Sequence, residues 1–186
     1  MIKKYDRQTK SLVDNIKNIE NGYEKFLLYI GGGNRCYLLN DFQKWKYEIE
    51  IIEIWKPNVD FLKKTFSFPV IHGDIRNFKT IINKSYDICC WWHGPEHINK
   101  NDFEKLLPKL EQKCKLLILG CPEGYSPQEE INGNPYEKHL WSVETEYLKN
   151  MGFSVSVITD RVYFDKKTET FKKDCNHITA WKENLK

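Results

Sequence analysis

The sequence has no CxxC pair, no apolar stretch approaching the length of a membrane span, and no block of basic residues. Each absence removes a class of protein. Without paired cysteines, Cys36, Cys89, Cys90, Cys114, Cys121 and Cys175 do not form a zinc ribbon or a thioredoxin-like motif. Most of them fall inside apolar runs, as expected for buried free thiols in a reducing compartment. Lacking a run of about 20 apolar residues, the chain offers no membrane helix, and its opening MIKKYDRQTK has no apolar signal core. A cytoplasmic protein with no membrane partner is the expectation. The net charge of +3 arises from intermixed lysine and glutamate, which leaves no electrostatic footprint for nucleic acid. No internal repeat or low-complexity segment is present.

What is there fits one packed domain. At 186 residues, 40% apolar and 14% aromatic, the chain can bury a core without staples. Residues 1–186 form a single domain in this reading. Residues 1–25 supply an N-terminal helix (Leu12, Ile16 and Ile19 at helical spacing, Gly22 as its stop) lying on or near the cleft.

Phe26 to Ile30 is too short an apolar run for a core helix and fits a buried strand. Gly31, Gly32 and Gly33 follow, and then Leu38, Leu39 and Phe42 at the spacing of one helix face. Strand, glycine turn and helix make the entrance to a doubly wound α/β domain, where a side chain on the turn would keep the backbone from a ligand. Glu53 lies twenty residues beyond Gly33, at the end of the apolar run 49–54. A carboxylate there can accept hydrogen bonds from ribose hydroxyls. Asp74 follows a third strand, 69–72, and suits either an exocyclic amine such as that of adenine or the cap of the helix carrying Phe78, Ile81 and Ile82. Together these features point to a nucleoside-containing cofactor.

The segment 86–92, YDICCWW, predicts a fourth strand buried on both faces. After His93-Gly94-Pro95-Glu96-His97, a helix opens near Asn99 or Asn101 with Phe103, Leu106, Leu107 and Leu110 inward. Pro108 is expected to kink that helix or delay its start. A fifth strand over 115–120 leads to an irregular stretch, 125–141, of a length often used for lids and binding loops. Ser142 is the expected N-cap of a helix that ends at Gly152. Strands over 153–159 and 177–181 close the chain, joined by the charged link KKTETFKKD, which predicts a solvated hairpin loop.

Five strand–helix units followed by a strand pair, in this order and with these motifs, resemble the class I S-adenosylmethionine (SAM)-dependent methyltransferases over roughly residues 26–183. YDICCWWHGPEHI is similar to the family's fourth-strand segment, with Asp87 at its aspartate, and HLWSVETEYLKNMGFSV to its fifth helix and sixth strand. The resemblance implies a three-layer αβα Rossmann-like sandwich whose seven-stranded sheet is mostly parallel, the last strand running antiparallel beside the fifth and sixth. It implies SAM as cofactor, with Gly31 and Gly33 at the methionine portion, Glu53 at the ribose and Asp74 at the adenine amine. Tyr29, Gly32, Ile54, Ile75 and Trp92 complete the expected cofactor-binding set. Tyr29 stands where the family usually carries an acid, and Arg35 where it usually has a third alternate glycine. These two departures support an alternative, a non-catalytic methyltransferase-like scaffold.

Other motifs are set aside. A dinucleotide-binding G-x-G-x-x-G fails because position 36 is cysteine. Asn134-Pro135-Tyr136 has one proline and the wrong place for the signature of amino-methylating enzymes. His93 and His97 have the spacing of a helical metal pair, but Gly94-Pro95 between them breaks a helix, so no metal site is expected. A sulfonium is already a good leaving group, so a base is needed only for a protonated acceptor. His93, just past the fourth strand, is the candidate, with Glu96 and His97 behind it. The acceptor is expected to be a small molecule or a protein side chain rather than nucleic acid. It would be selected by the loop 125–141 and the N-terminal helix. Oligomeric state is not encoded in any of these features.

Overall fold

A computed structural model of the chain describes residues 26–34, 37–159, 162–165, 170–173 and 176–184. The N-terminal helix expected over 1–25, and Arg35, Cys36 and Cys175, lie outside the described residues.

The described residues form nine strands: β1 (Phe26–Ile30), β2 (Glu48–Glu53), β3 (Val70–His72), β4 (Tyr86–Trp92), β5 (Cys114–Pro122), β6 (Ser154–Thr159), β7 (Val162–Asp165), β8 (Thr170–Lys173) and β9 (Asn176–Glu183). Seven form one sheet in the order β3-β2-β1-β4-β5-β9-β6. The pairs among β1 to β5 are parallel. β9 runs antiparallel to both β5 and β6, as the resemblance implies. Strand order reverses at β1, which makes the crevice between the ends of β1 and β4 the place where open α/β sheets bind ligands.

Both faces of the sheet are buried, and the period of two in its strands explains how. Leu28, Ile30, Cys89, Trp91, Leu117 and Leu119 face one way, into a cluster with Phe103, Leu106, Leu107 and Leu110 of the helix Lys100–Glu111. Leu27, Tyr29, Ile88, Cys90, Leu116 and Ile118 face the other way, against Leu38, Leu39 and Phe42 of the helix Tyr37–Lys44 and Leu62 of the helix Lys56–Thr65. The result is a three-layer αβα sandwich. Cys89, Cys90, Cys114 and Cys121 are buried free thiols, and burial raises the pKa of Cys89, Cys90 and Cys121. Among the described residues, no helix is long and apolar enough to cross a membrane.

Several boundaries differ from the sequence expectation. Pro108 sits inside the helix Lys100–Glu111, which starts where Asn99 caps it by accepting from Asp102 N–H at 2.9 Å. The proline lies on the exposed face of the helix, where water can satisfy the carbonyl it leaves without an amide partner. Ser142 does not cap the next helix, which begins at Thr145. Val143 is instead held extended by an antiparallel bridge to Gly124, whose N–H donates to Val143 O at 2.7 Å. The charged link is not a plain loop, because β8 lies within it and pairs antiparallel with β7 just before it. β5 extends to Pro122 because β9 pairs with it as far as His177.

The carboxyl ends of β4 and β5 fit together only through glycine. A Cβ at Gly120 would stand 2.2 Å from Trp92 Cε3, and one at Gly94 would stand 2.0 Å from Trp91 Nε1. Both indoles are therefore fixed by an absent methyl group. Gly120→Ala is expected to lower the unfolding free energy by about 1–3 kcal/mol, the usual cost of overpacking a filled core. Urea denaturation checks this, and a loss below about 0.5 kcal/mol would show that Trp92 is free to move aside.

Candidate cofactor cleft and the histidine cluster beside it

Because β3, β2, β1 and β4 are parallel neighbours, the residues that leave their carboxyl ends line up. In spatial order these are Asp74, Glu53, the Gly31–Gly33 turn, and Trp92 with His93. Gly31 has φ +75° and Gly33 φ +55°, left-handed values that glycine adopts without strain. Gly32 is required for a different reason. A Cβ there would lie 2.5 Å from Leu62 Cδ1 and 2.9 Å from Ile51 Cγ2, so the turn rests directly on the helix behind it.

Glu53 joins the turn to the second strand. It is buried, at 4% exposure, and its Oε2 accepts from Gly33 N–H at 2.8 Å while its Oε1 accepts from Trp55 N–H at 2.8 Å. Burial raises its pKa, and hydrogen bonds from the backbone of Trp55, Gly33 and Ile54 offset part of that rise. Each carboxylate oxygen has a second lone pair, so the group can accept from an outside hydroxyl as well. Ile54, half-buried beside it, accepts at its carbonyl from His72 Nε2–H at 3.0 Å.

Asp74 is a cap, but of the turn before the expected helix, Phe78–Ile81, whose own N-cap position is Asn77. It caps the single 3₁₀ turn Ile75–Asn77, accepting from Arg76 N–H at 2.9 Å. Arg76 Nε also donates to both of its oxygens, at 2.9 and 2.8 Å. Burial pushes its pKa up, but the side chain, backbone N–H and charge of Arg76 together hold it below the usual carboxylate value. Ile75 is buried in the core beneath. Tyr29 is likewise buried, at 4% exposure, edge-on to Phe42 with ring centroids 6.4 Å apart. Its ring packs in the core cluster with Leu38, Leu39 and Phe42, just before the glycine turn. Trp92 is buried at the end of β4 with its ring edge against His93.

His93 has φ +49°, an uncommon value for a residue with a side chain, and its N–H donates to Gly120 O at 2.8 Å. Its exposed ring places Nδ1 3.4 Å from Glu96 Oε1. Glu96 is 2% exposed, and neither of its oxygens accepts a hydrogen bond. Burial raises its pKa, but His93 and His97 more than offset this, and the net shift is downward, toward the carboxylate form.

The loop 125–141 closes over this turn. Leu140 N–H donates to Glu96 O at 2.8 Å, and Trp141 Nε1–H to Pro95 O at 2.8 Å. His97 Nδ1 lies 3.2 Å from Lys138 O, and His139 Nδ1 bonds Ser126 O. Sequence reasoning named Glu96 and His97 but missed His139. Its neighbours in the chain show no metal or catalytic spacing, and the segments that meet here lie 41 positions apart at His97 and Lys138.

No protein-family model matches the sequence, and a comparison with curated proteins gives no match. Solved structures do match. The chain is similar to a SAM-dependent methyltransferase from Archaeoglobus fulgidus, with a TM-score of 0.63 and 18% identity, covering 94% of each chain. It is similar to one from Clostridium acetobutylicum ATCC 824, at a TM-score of 0.63 and 14% identity over 95% of this chain and 91% of that one. Magnesium protoporphyrin IX methyltransferase from Synechocystis PCC 6803, solved with bound SAM, matches at a TM-score of 0.62 and 12% identity, covering 95% and 79%. The fold of this chain is that of the class I SAM-dependent methyltransferases.

Proposed function

We propose that the chain is a SAM-dependent methyltransferase acting on a small-molecule or protein acceptor. The observation that carries this is the buried Glu53 carboxylate, hydrogen-bonded to Gly33 N–H at the strand-order reversal and retaining lone pairs for a ribose. The residues present fit the cofactor. Gly31 and Gly33 have no side chain to hold a ligand off, and Gly31 is exposed at the turn.

When bound, SAM supplies a methyl group on a sulfonium that is already a good leaving group. The chain's own work is then to position and to exclude water. Glu53 would orient the ribose hydroxyls. Ile54 and Trp92 would supply apolar walls. Asp74 is engaged with Arg76 and would give the adenine amine a weaker acceptor. His93, beside the Glu96 carboxylate, is the side chain placed to take a proton from an acceptor that arrives protonated. The scaffold reading draws on Tyr29, which puts a buried phenol where an acid would face the methionine end.

Calorimetric titration with S-adenosylhomocysteine, using NAD as the control, separates these readings. Binding of the adenosyl ligand alone is expected, and binding of neither would favour the scaffold. Glu53→Ala should weaken that binding by about 1.5–3 kcal/mol, the usual worth of hydrogen bonds to a charged group. An unchanged dissociation constant would remove Glu53 from the ribose. Asp74→Asn should cost less than Glu53→Ala in the same titration, because Arg76 already occupies the carboxylate.

A further inference from the structure

We propose that Glu96, His97 and His139 form a binding site for a divalent first-row transition ion, contrary to the expectation from sequence spacing alone. One ligand atom from each of the three lies within 4.8 Å of the others. Two further observations point to a cation. The first is the state of Glu96, almost wholly buried with neither oxygen accepting a hydrogen bond. The His93 ring stands 3.4 Å from Oε1 without completing a hydrogen bond, and buried charges are ordinarily hydrogen-bonded in full or bound to a metal.

The second observation is the orientation of the two imidazoles. A backbone carbonyl can only accept, so the contacts to Lys138 O and Ser126 O assign the proton of each ring to Nδ1. Nε2 is then the lone-pair atom in both. With His97 neutral, its Nε2 lies 4.0 Å from Glu96 Oε1 and the two are acceptors facing each other. A cation between them satisfies both. Anchoring of the second ring nitrogen by a backbone carbonyl is also how metal-binding histidines are commonly held.

Two imidazoles and one carboxylate suit a first-row transition ion such as Zn²⁺ or Co²⁺. With bonds of about 2.0–2.2 Å, closing on such an ion asks the three side chains to approach by roughly 1 Å. Gly94-Pro95 does break a regular helix, but the site does not need one. Glu96 and His97 come from the 3₁₀ turn Pro95–His97, and the third donor comes from the loop folded over it. Three protein ligands leave at least one coordination position for an outside oxygen or nitrogen. At the carboxyl end of β4, that position would hold the methyl acceptor. This last step rests on the methyltransferase reading; the metal site itself does not.

The full chain, stripped with a chelator and dialysed, would be titrated with Co²⁺ and followed by visible absorption and calorimetry. One Co²⁺ per chain is expected, with a ligand-field band, displaced by Zn²⁺. Glu96→Gln, nearly isosteric, and His139→Ala should each weaken Co²⁺ binding at least about tenfold, while circular dichroism shows the fold retained. No uptake by the parent chain, or uptake unchanged in both variants, overturns the site. S-Adenosylhomocysteine binding in the same samples keeps the two readings apart. Adenosyl binding without Co²⁺ defeats the metal site alone, and Co²⁺ binding without the adenosyl ligand defeats the cofactor reading alone.

Discussion

β1 hydrogen-bonds on both sides to parallel strands, and the chain reaches those two neighbours by moving in opposite directions. Everything at the carboxyl end of the sheet follows from that reversal. Connections leaving β1 and β4 diverge to opposite faces, so neither of the helices that follow them covers the gap between them. The glycine turn can sit low in that gap because Gly32 has no side chain to collide with Leu62 and Ile51. Two further glycines let Trp91 and Trp92 fill the end of β4, and so decide where the next residue, His93, emerges.

Three buried carboxylates show how differently one charge can be accommodated in one fold. Glu53 is held by two backbone N–H groups. Asp87 accepts from Phe26 N–H at 3.1 Å and pairs with Lys115 Nζ at 2.7 Å, tying the start of β1 to β4 and β5. These two are structurally complete, and their burial needs nothing from outside. Glu96 departs from the pattern. It is buried as deeply, yet its nearest cationic candidates are histidines at 3.4 and 4.0 Å.

What the sequence disclosed depended on whether the governing interaction was local. β4 was legible to the residue because YDICCWW is apolar apart from Asp87 and bounded by a serine and a His-Gly-Pro turn. The strand ends carrying Gly31, Glu53 and Asp74 were legible through their order along the chain. The pairing of Asp74 with Arg76, two positions on, is local as well, and the cap expected of Asp74 falls on the 3₁₀ turn rather than on the helix after it. Ser142 misled because a good capping residue was overridden by a bridge from Val143 to Gly124, set by tertiary contact. Pro108 misled because the cost of a proline depends on which face it occupies, and that face is exposed. His139 carried no local signal; its significance exists only once the loop is laid over the turn at Glu96.

That loop has a mechanical consequence. Trp141, Leu140 and Lys138 are pinned to Pro95, Glu96 and His97 in turn, so the two segments run alongside one another like the sides of a zip. A substrate that levered this segment outward would draw His139 away from Glu96 in the same movement and loosen the hydrogen bond that orients His97. Glu96, His97 and His139 thus stay together only while these contacts hold the two segments in register.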